Sequence, residues 1–238
     1  MKIAIENGVY QGIPYKTYAH PEPERLIFIN HGVFGNKERV LTLFGSQLAK
    51  IGYKVVAIDA SRHGERGESP FSPRDEEEAF KHIFDVVKET SEDILLMYHA
   101  LYEKDYSDFD ILGLSMGGYV AYHMTTITDH VKTLVTMISS PDFLPGAKNR
   151  GIDPRTLRTI ESMNPASNVS KMRFKHGLAL VGEYDEAIKK TETFGFLEKN
   201  PDLPLEARTY HTGHQATQAM QEDTLEFLRQ KAFEEGNK

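Results

Sequence analysis

One serine of this chain stands in a Gly-x-Ser-x-Gly pattern, at Gly113-Leu114-Ser115-Met116-Gly117, with Gly118 directly after it. The surroundings suit a nucleophile. An apolar run, Phe109–Leu114, ends just before Ser115, and Val120, Ala121 and Met124 begin a helical spacing just after Met116. A strand that turns sharply into a helix holds its serine in a strained conformation at the carboxyl end of a sheet. The flanking glycines leave room for neighbouring backbone, and the free N–H groups at the helix start face a developing oxyanion. A second glycine-rich loop, Asn30-His31-Gly32-Val33-Phe34-Gly35, follows the apolar run Leu26–Ile29. The N–H of Val33 and that of Met116 are the pair expected to form an oxyanion hole. His31, just ahead of a glycine turn, is read as holding that loop by hydrogen bonds.

A serine nucleophile needs a base and an acid, in the chain order serine, acid, histidine for an elbow of this kind. Downstream of Ser115 only His211 and His214 follow the last candidate strand. His214 follows Gly213, where the chain can turn inward, and is the preferred general base. Leu180-Val181-Gly182-Glu183-Tyr184-Asp185 runs off a strand end, and Asp185, further out on the loop than Glu183, is the preferred partner of His214. Asp59, His63, His31 and Glu65 match no zinc spacing, so no metal is expected. Arg62 and Arg66 are assigned to loop packing or ion pairing.

The elements that must position these groups alternate. Apolar runs at 26–29, 54–58, 109–114, 133–138 and 178–181, with a weaker one at 207–210, read as strands covered on both faces. Helical spacings lie between them: Val40, Leu41, Phe44, Leu48 and Ile51; Phe80, Phe84 and Val87; Ile94, Leu95, Tyr98 and Leu101, with Thr90 or Ser91 as a cap between the last two. The run 75–78 is acidic and suits a helix start. The stretch 216–233 gives a final amphipathic helix, and residues 2–5 and 15–19 a hairpin around Asn7-Gly8 and Gly12. Strand and helix in alternation predict an α/β domain, with a mostly parallel sheet, helices on both faces and an antiparallel N-terminal hairpin. One domain over 1–238 is expected, with a small cap insertion over 141–171. Phe34, Phe143 and Leu144 are the candidates for lining an acyl pocket.

The bulk numbers fit. The chain has 238 residues, 39% apolar and 26% charged, enough for one packed α/β domain. A net charge of −7 without a basic stripe argues against nucleic acid and anionic membranes. Without cysteine there is no disulfide and no thiolate nucleophile. No phosphate-binding glycine loop is present, and no cofactor is expected. The N-terminal residues do not have the apolar core of a signal peptide, so the cytoplasm is the expected location. A homodimer is compatible with the sequence.

Taken in order, His31-Gly32, Asp59 with Arg62-His63-Gly64, the 113–118 elbow, the 181–185 strand end and Gly213-His214 resemble the α/β-hydrolase superfamily. The resemblance runs from Leu26 to the C-terminal helix. It is nearest to small bacterial esterases beside the dienelactone-hydrolase and prolyl-oligopeptidase-like branches. It implies a serine hydrolase that cleaves a small-molecule carboxylic ester of small or medium acyl chain through an acyl-serine. Thioesters, amides, or a non-catalytic ligand-binding role are the alternatives. The propeller of the one branch and the cysteine nucleophile of the other are missing, which favours a plain ester hydrolase.

Overall fold

A computed structural model describes residues 2–67, 76–149 and 151–233. Eight strands form one sheet: β1 Ala4–Tyr10, β2 Ile13–Ala19, β3 Arg25–Asn30, β4 Tyr53–Ile58, β5 Phe109–Leu114, β6 Val131–Met137, β7 His176–Gly182 and β8 Leu205–Tyr210. Their spatial order is β1-β2-β4-β3-β5-β6-β7-β8. β2 joins β1 and β4 antiparallel, and every later pairing is parallel. The parallel strands therefore all end at one edge, where the loops carrying Ser115, Asp185 and His214 emerge.

Alternation along the strands divides the core. Leu26 and Phe28 pack on one face with Val56 and Ile58; Ile27 and Ile29 pack on the other with Val55 and Ala57. Helices α1, Lys37–Lys50, and α7, Gln218–Phe233, cover the second face through Phe44, Leu48, Met220 and Leu228. Helices α2, Glu76–Met97, and α3, Met116–Ile127, cover the first. Asn36 starts α1 by accepting a hydrogen bond from the Arg39 N–H, and Gly52, at φ 102°, turns the chain out of it. No described helix is long and apolar enough to cross a membrane.

The hairpin turns at Gly12, one of the two places expected, and not at Asn7-Gly8. β1 and β2 pair from Ala4 opposite Ala19 to Tyr10 opposite Ile13, so the two-residue turn is Gln11-Gly12, at φ 48° and 81°. Two positive φ angles match the right-handed strand twist. Asn7-Gly8 lies mid-strand, paired with Lys16 and Tyr15, and the glycine there makes room for the Tyr15 ring, which a Cβ would approach to 2.4 Å. The cap expected at Thr90 or Ser91 is absent. α2 runs straight through, and Tyr98–Tyr102 extends it as a wider π-helical turn. The Ser91 hydroxyl donates back to the Val87 carbonyl inside the helix, and Thr90 Oγ1 accepts from the Ser61 N–H. Both polar side chains are thereby satisfied without ending the helix. The acidic run 75–78 and part of the polar loop 60–74 lie outside the residues whose side chains are described.

Residues 141–171 hold two short helices, α4 Leu144–Asn149 and α5 Pro154–Met163, and two single 3₁₀ turns. Asp153 caps α5 through the N–H groups of Arg155 and Thr156. A further helix, α6 Lys190–Lys199, lies between β7 and β8. It has no sequence-level signal, since only Thr193 and Phe196 of its ten residues are buried.

Candidate active site

Ser115 sits between β5 and α3 at φ 52°, ψ −116°, a conformation that costs a non-glycine residue about 1–3 kcal/mol. Backbone on every side holds it there. Its N–H donates to the Met137 carbonyl at 2.9 Å, and its carbonyl accepts from the Gly118 N–H at 2.8 Å. The elbow glycines are contact requirements. A Cβ on Gly113 would lie 2.0 Å from the Gly117 carbonyl oxygen, and one on Gly117 would lie 2.4 Å from the Asn30 carbonyl oxygen.

His214 reaches the serine from the loop after β8. Its Nε2 lies 2.9 Å from Ser115 Oγ, and its Nδ1 lies 2.7 Å from Asp185 Oδ2. A carboxylate oxygen only accepts, so Nδ1 carries the proton and Nε2 accepts from the serine hydroxyl. Asp185 follows β7 with its side chain fully buried. Its other oxygen accepts from the Ala187 and Ile188 N–H groups, at 3.0 and 2.9 Å. The carboxylate is thus fixed from behind while it fixes the ring. The β7 end and the histidine loop touch at Gly182, where a Cβ would meet the Gly213 carbonyl at 2.4 Å.

The competing residues go elsewhere. Glu183 and the Tyr184 hydroxyl both face His211 Nδ1, at 3.2 and 3.0 Å. The His211 hydrogen bond, with Lys190 nearby, holds the exposed Glu183 carboxyl below its ordinary value. His211, Glu183 and Tyr184 form a surface group beside the Ser115–His214–Asp185 line.

The loop after β3 lies against the serine: a Cβ on Gly32 would be 3.4 Å from Ser115 Cβ and 3.9 Å from Oγ. His31 is buried and orders this loop. Its Nε2 accepts from the Ala60 N–H at 3.0 Å, which leaves Nδ1 to donate to the Gly32 carbonyl at 2.8 Å. The Gly35 N–H donates to the same carbonyl at 2.8 Å. In a trans peptide the N–H points opposite to the C=O, so anchoring the Gly32 carbonyl sets the direction of the Val33 N–H. Burial lowers His31 to about 4, so this anchor is neutral at pH 7. His63 Nε2 donates to the Val33 carbonyl at 2.7 Å and fixes the next peptide. Met116 is the first residue of α3, with an N–H that the helix itself cannot satisfy.

Beneath this loop lies a buried ion pair that the sequence did not disclose. Lys37 Nζ is 2.8 Å from Asp59 Oδ2 and also meets Glu65. Asp59 accepts in addition from the N–H groups of Lys37 and Glu65. Burial pushes the Asp59 carboxyl up, but the Lys37 and backbone hydrogen bonds outweigh it and hold it below its ordinary value. Asp59 and Glu65, weighed as metal ligands beside His31 and His63, are thus engaged by Lys37. Arg62 pairs with Glu89, and Arg66 with Asp93.

The residues proposed to line an acyl pocket separate. Phe34 is 69% exposed on the loop after Val33. Phe143 is buried in the core, with ring centroids 4.6 Å from Tyr119 and 5.5 Å from Phe84, so its surface is spent on packing. Leu144 borders a cavity of about 460 Å³ between α4 and α6, with Asp142, Asn164, Glu192 and Phe196. Burial, then Asp142, raises the Glu192 carboxyl to about 7.

The family model described as "Serine aminopeptidase, S33" matches residues 21–227. The protein named "Putative esterase YitV" of Bacillus subtilis strain 168 is 30% identical over 149 residues, 60% of this chain and 56% of that protein. The matched region is thus little more than half of that relative. Among solved structures, TT1662 from Thermus thermophilus superposes with a TM-score of 0.83 at 22% identity, covering 97% of this chain and 98% of its own. A puromycin-hydrolyzing peptidase of Mycobacterium tuberculosis gives 0.72 at 16% identity, over 96% of this chain and 38% of its own. Both structures share the fold.

Proposed function

This chain belongs to the serine aminopeptidase S33 family of hydrolases, in the α/β-hydrolase superfamily, and on that premise we propose that it hydrolyses carboxylic esters through an acyl-serine. The observation that carries the reading is the continuous line from Ser115 Oγ through His214 to Asp185, at 2.9 and 2.7 Å. In this reading Ser115 Oγ attacks the ester carbonyl while His214 Nε2 takes its proton. Asp185 keeps Nδ1 protonated and stabilises the imidazolium. The N–H groups of Val33 and Met116 receive the oxyanion. His214 then protonates the leaving alcohol, and water, activated by the same ring, releases the acid.

The substrate class proposed is an ester of small or medium acyl chain. Phe34, two residues past Gly32 on the loop that lies against Ser115, offers an exposed apolar side chain, and the YitV protein, named as an esterase, is the relative that favours esters. A second reading, cleavage of an amino-terminal residue from a peptide, draws on the family's own description. The 141–171 segment, inserted between β6 and β7, is proposed as a cap; with α6 it lines the cavity that Leu144 borders. Comparing p-nitrophenyl esters with aminoacyl p-nitroanilides separates the two readings. Ser115→Ala should abolish the activity and fluorophosphonate labelling alike while the circular dichroism spectrum stays unchanged. Labelling that persists in the variant removes Ser115 from the nucleophile's role.

A further inference from the structure

At the opposite end of the sheet three side chains converge that the proposed hydrolysis does not use. His99 and Glu103 lie one turn apart at the end of α2's π-helical extension, and His130 lies in the loop between α3 and β6. One ligand atom from each falls within 4.8 Å of the other two. We propose that His99, Glu103 and His130 form a binding site for a d-block divalent cation, with Zn²⁺ as its first candidate.

The chemistry of the set points to that class. Two imidazole nitrogens and one carboxylate oxygen suit zinc, nickel or copper and do not suit calcium or magnesium, which take oxygen ligands. His130 is already in the ligating tautomer. Its Nδ1 lies 3.1 Å from the Ser107 carbonyl, which only accepts, so Nδ1 carries the proton and Nε2 keeps its lone pair. A ring N–H donated to a backbone carbonyl is the support that orients ligating histidines in metal sites. Tyr98 Oη stands 3.3 Å from the same Nδ1, and the Tyr98 ring packs against both imidazoles, at 5.3 Å from His99 and 5.0 Å from His130. The His99 and His130 rings meet edge to face at 5.6 Å. His99 Nδ1 donates to Glu103 Oε2 at 3.1 Å, close to the roughly 3.3 Å that tetrahedral zinc with 2.0–2.1 Å bonds sets between ligands, and a cation that takes this nitrogen displaces its proton. Small shifts that bring the three ligand atoms from within 4.8 Å to about 3.3 Å complete the three-ligand face. The side chains are 48%, 45% and 29% exposed, so the cation has access and water fills its remaining positions.

A bound cation would tie the end of α2 to the loop that enters β6. Phe109 at the start of β5 is bonded to the His130 carbonyl, and Ser115 follows the far end of the same strand, about 20 Å away at 3.3 Å per residue. The site therefore acts on stability and leaves the serine untouched.

The test uses the full chain, freed of any affinity tag and stripped with a chelator. Titration calorimetry with ZnCl₂ should show one saturable equivalent and a raised melting temperature. Glu103→Gln, His99→Gln and His130→Gln should each weaken binding at least about tenfold. Co²⁺ should give a visible d–d band that disappears in the same variants. Serine-probe labelling of the metal-free variants should equal that of the wild type, as a check on folding. No saturable equivalent in the wild type, or unchanged affinity in the three variants, overturns the site.

Discussion

Each of the two histidines after β8 has its own acid, and this pairing sets the mutational ranking. His214 is held by Asp185 and touches Ser115; His211 is held by Glu183 and Tyr184 at the surface. His214→Ala should lower kcat by about 10⁴ or more, whereas His211→Ala should stay within about tenfold. Asp185→Asn should cost about 10⁴ by favouring the wrong tautomer, and Glu183→Gln should cost little. Steady-state ester kinetics on the four variants check the order; a larger loss in His211→Ala than in His214→Ala would reverse the assignment. His31 is a different case, a positioning residue that acts through the Gly32 carbonyl. His31→Gln should lower kcat more than it changes KM, because the Val33 N–H matters most when charge develops on the substrate oxygen. Equal effects on both constants would reduce His31 to a structural part of the loop.

At the scale of elements, the loops after β3 and β4 are held together by the Lys37–Asp59 pair, with side chains 4% and 1% exposed. Lys37 opens α1 and Asp59 follows β4, so the pair joins the two segments that present Val33 and His63. Lys37→Met leaves a buried carboxylate without its cation and should cost about 3 kcal/mol in urea unfolding, with a fall in kcat. A change below about 0.5 kcal/mol would mean that water replaces the lysine. The strands, α1 and the elbow were legible because their patterns are local: continuous apolar runs for strands covered on both faces, helical spacing for α1, fixed glycine offsets for the turn. The Ser115, His214 and Asp185 positions were legible because each follows a strand end. What escaped was the information carried by contacts distant in sequence. Lys37 reads as an ordinary charged residue at a helix start until Asp59 is seen beside it. Gly8 reads as a turn until Tyr15 is placed opposite. Phe143 reads as a pocket residue until Tyr119 and Phe84 enclose it. α6 buries too few side chains to leave a period.

Over the whole molecule, buried titratable groups make stability depend on pH in a direction that can be worked out. Burial lowers His31 and His123 to about 4, against about 6.5 in the unfolded chain. Between those values the unfolded state holds more protons, so their contribution is complete above pH 6.5 and is lost as the pH falls toward 4. At 1.36 kcal/mol per pH unit, each accounts for about 3 kcal/mol at most. Glu192 runs the other way. Raised to about 7 from 4.5, it binds its proton more tightly in the folded state and costs stability as the pH rises through that window. Glu192 is partly buried beside the cavity, less deeply than either histidine, so its opposing contribution is the smaller one. The histidines prevail, and urea midpoints should drop between pH 7 and pH 5. His123 ties α3 to the Met163 backbone in the 141–171 segment. His123→Gln removes one of the two titrations and should shrink that drop by about half. Glu192→Gln removes the opposing one; it should enlarge the drop and raise the midpoint at pH 8. If the His123→Gln drop equals that of the wild type, acid sensitivity resides in groups other than the buried imidazoles.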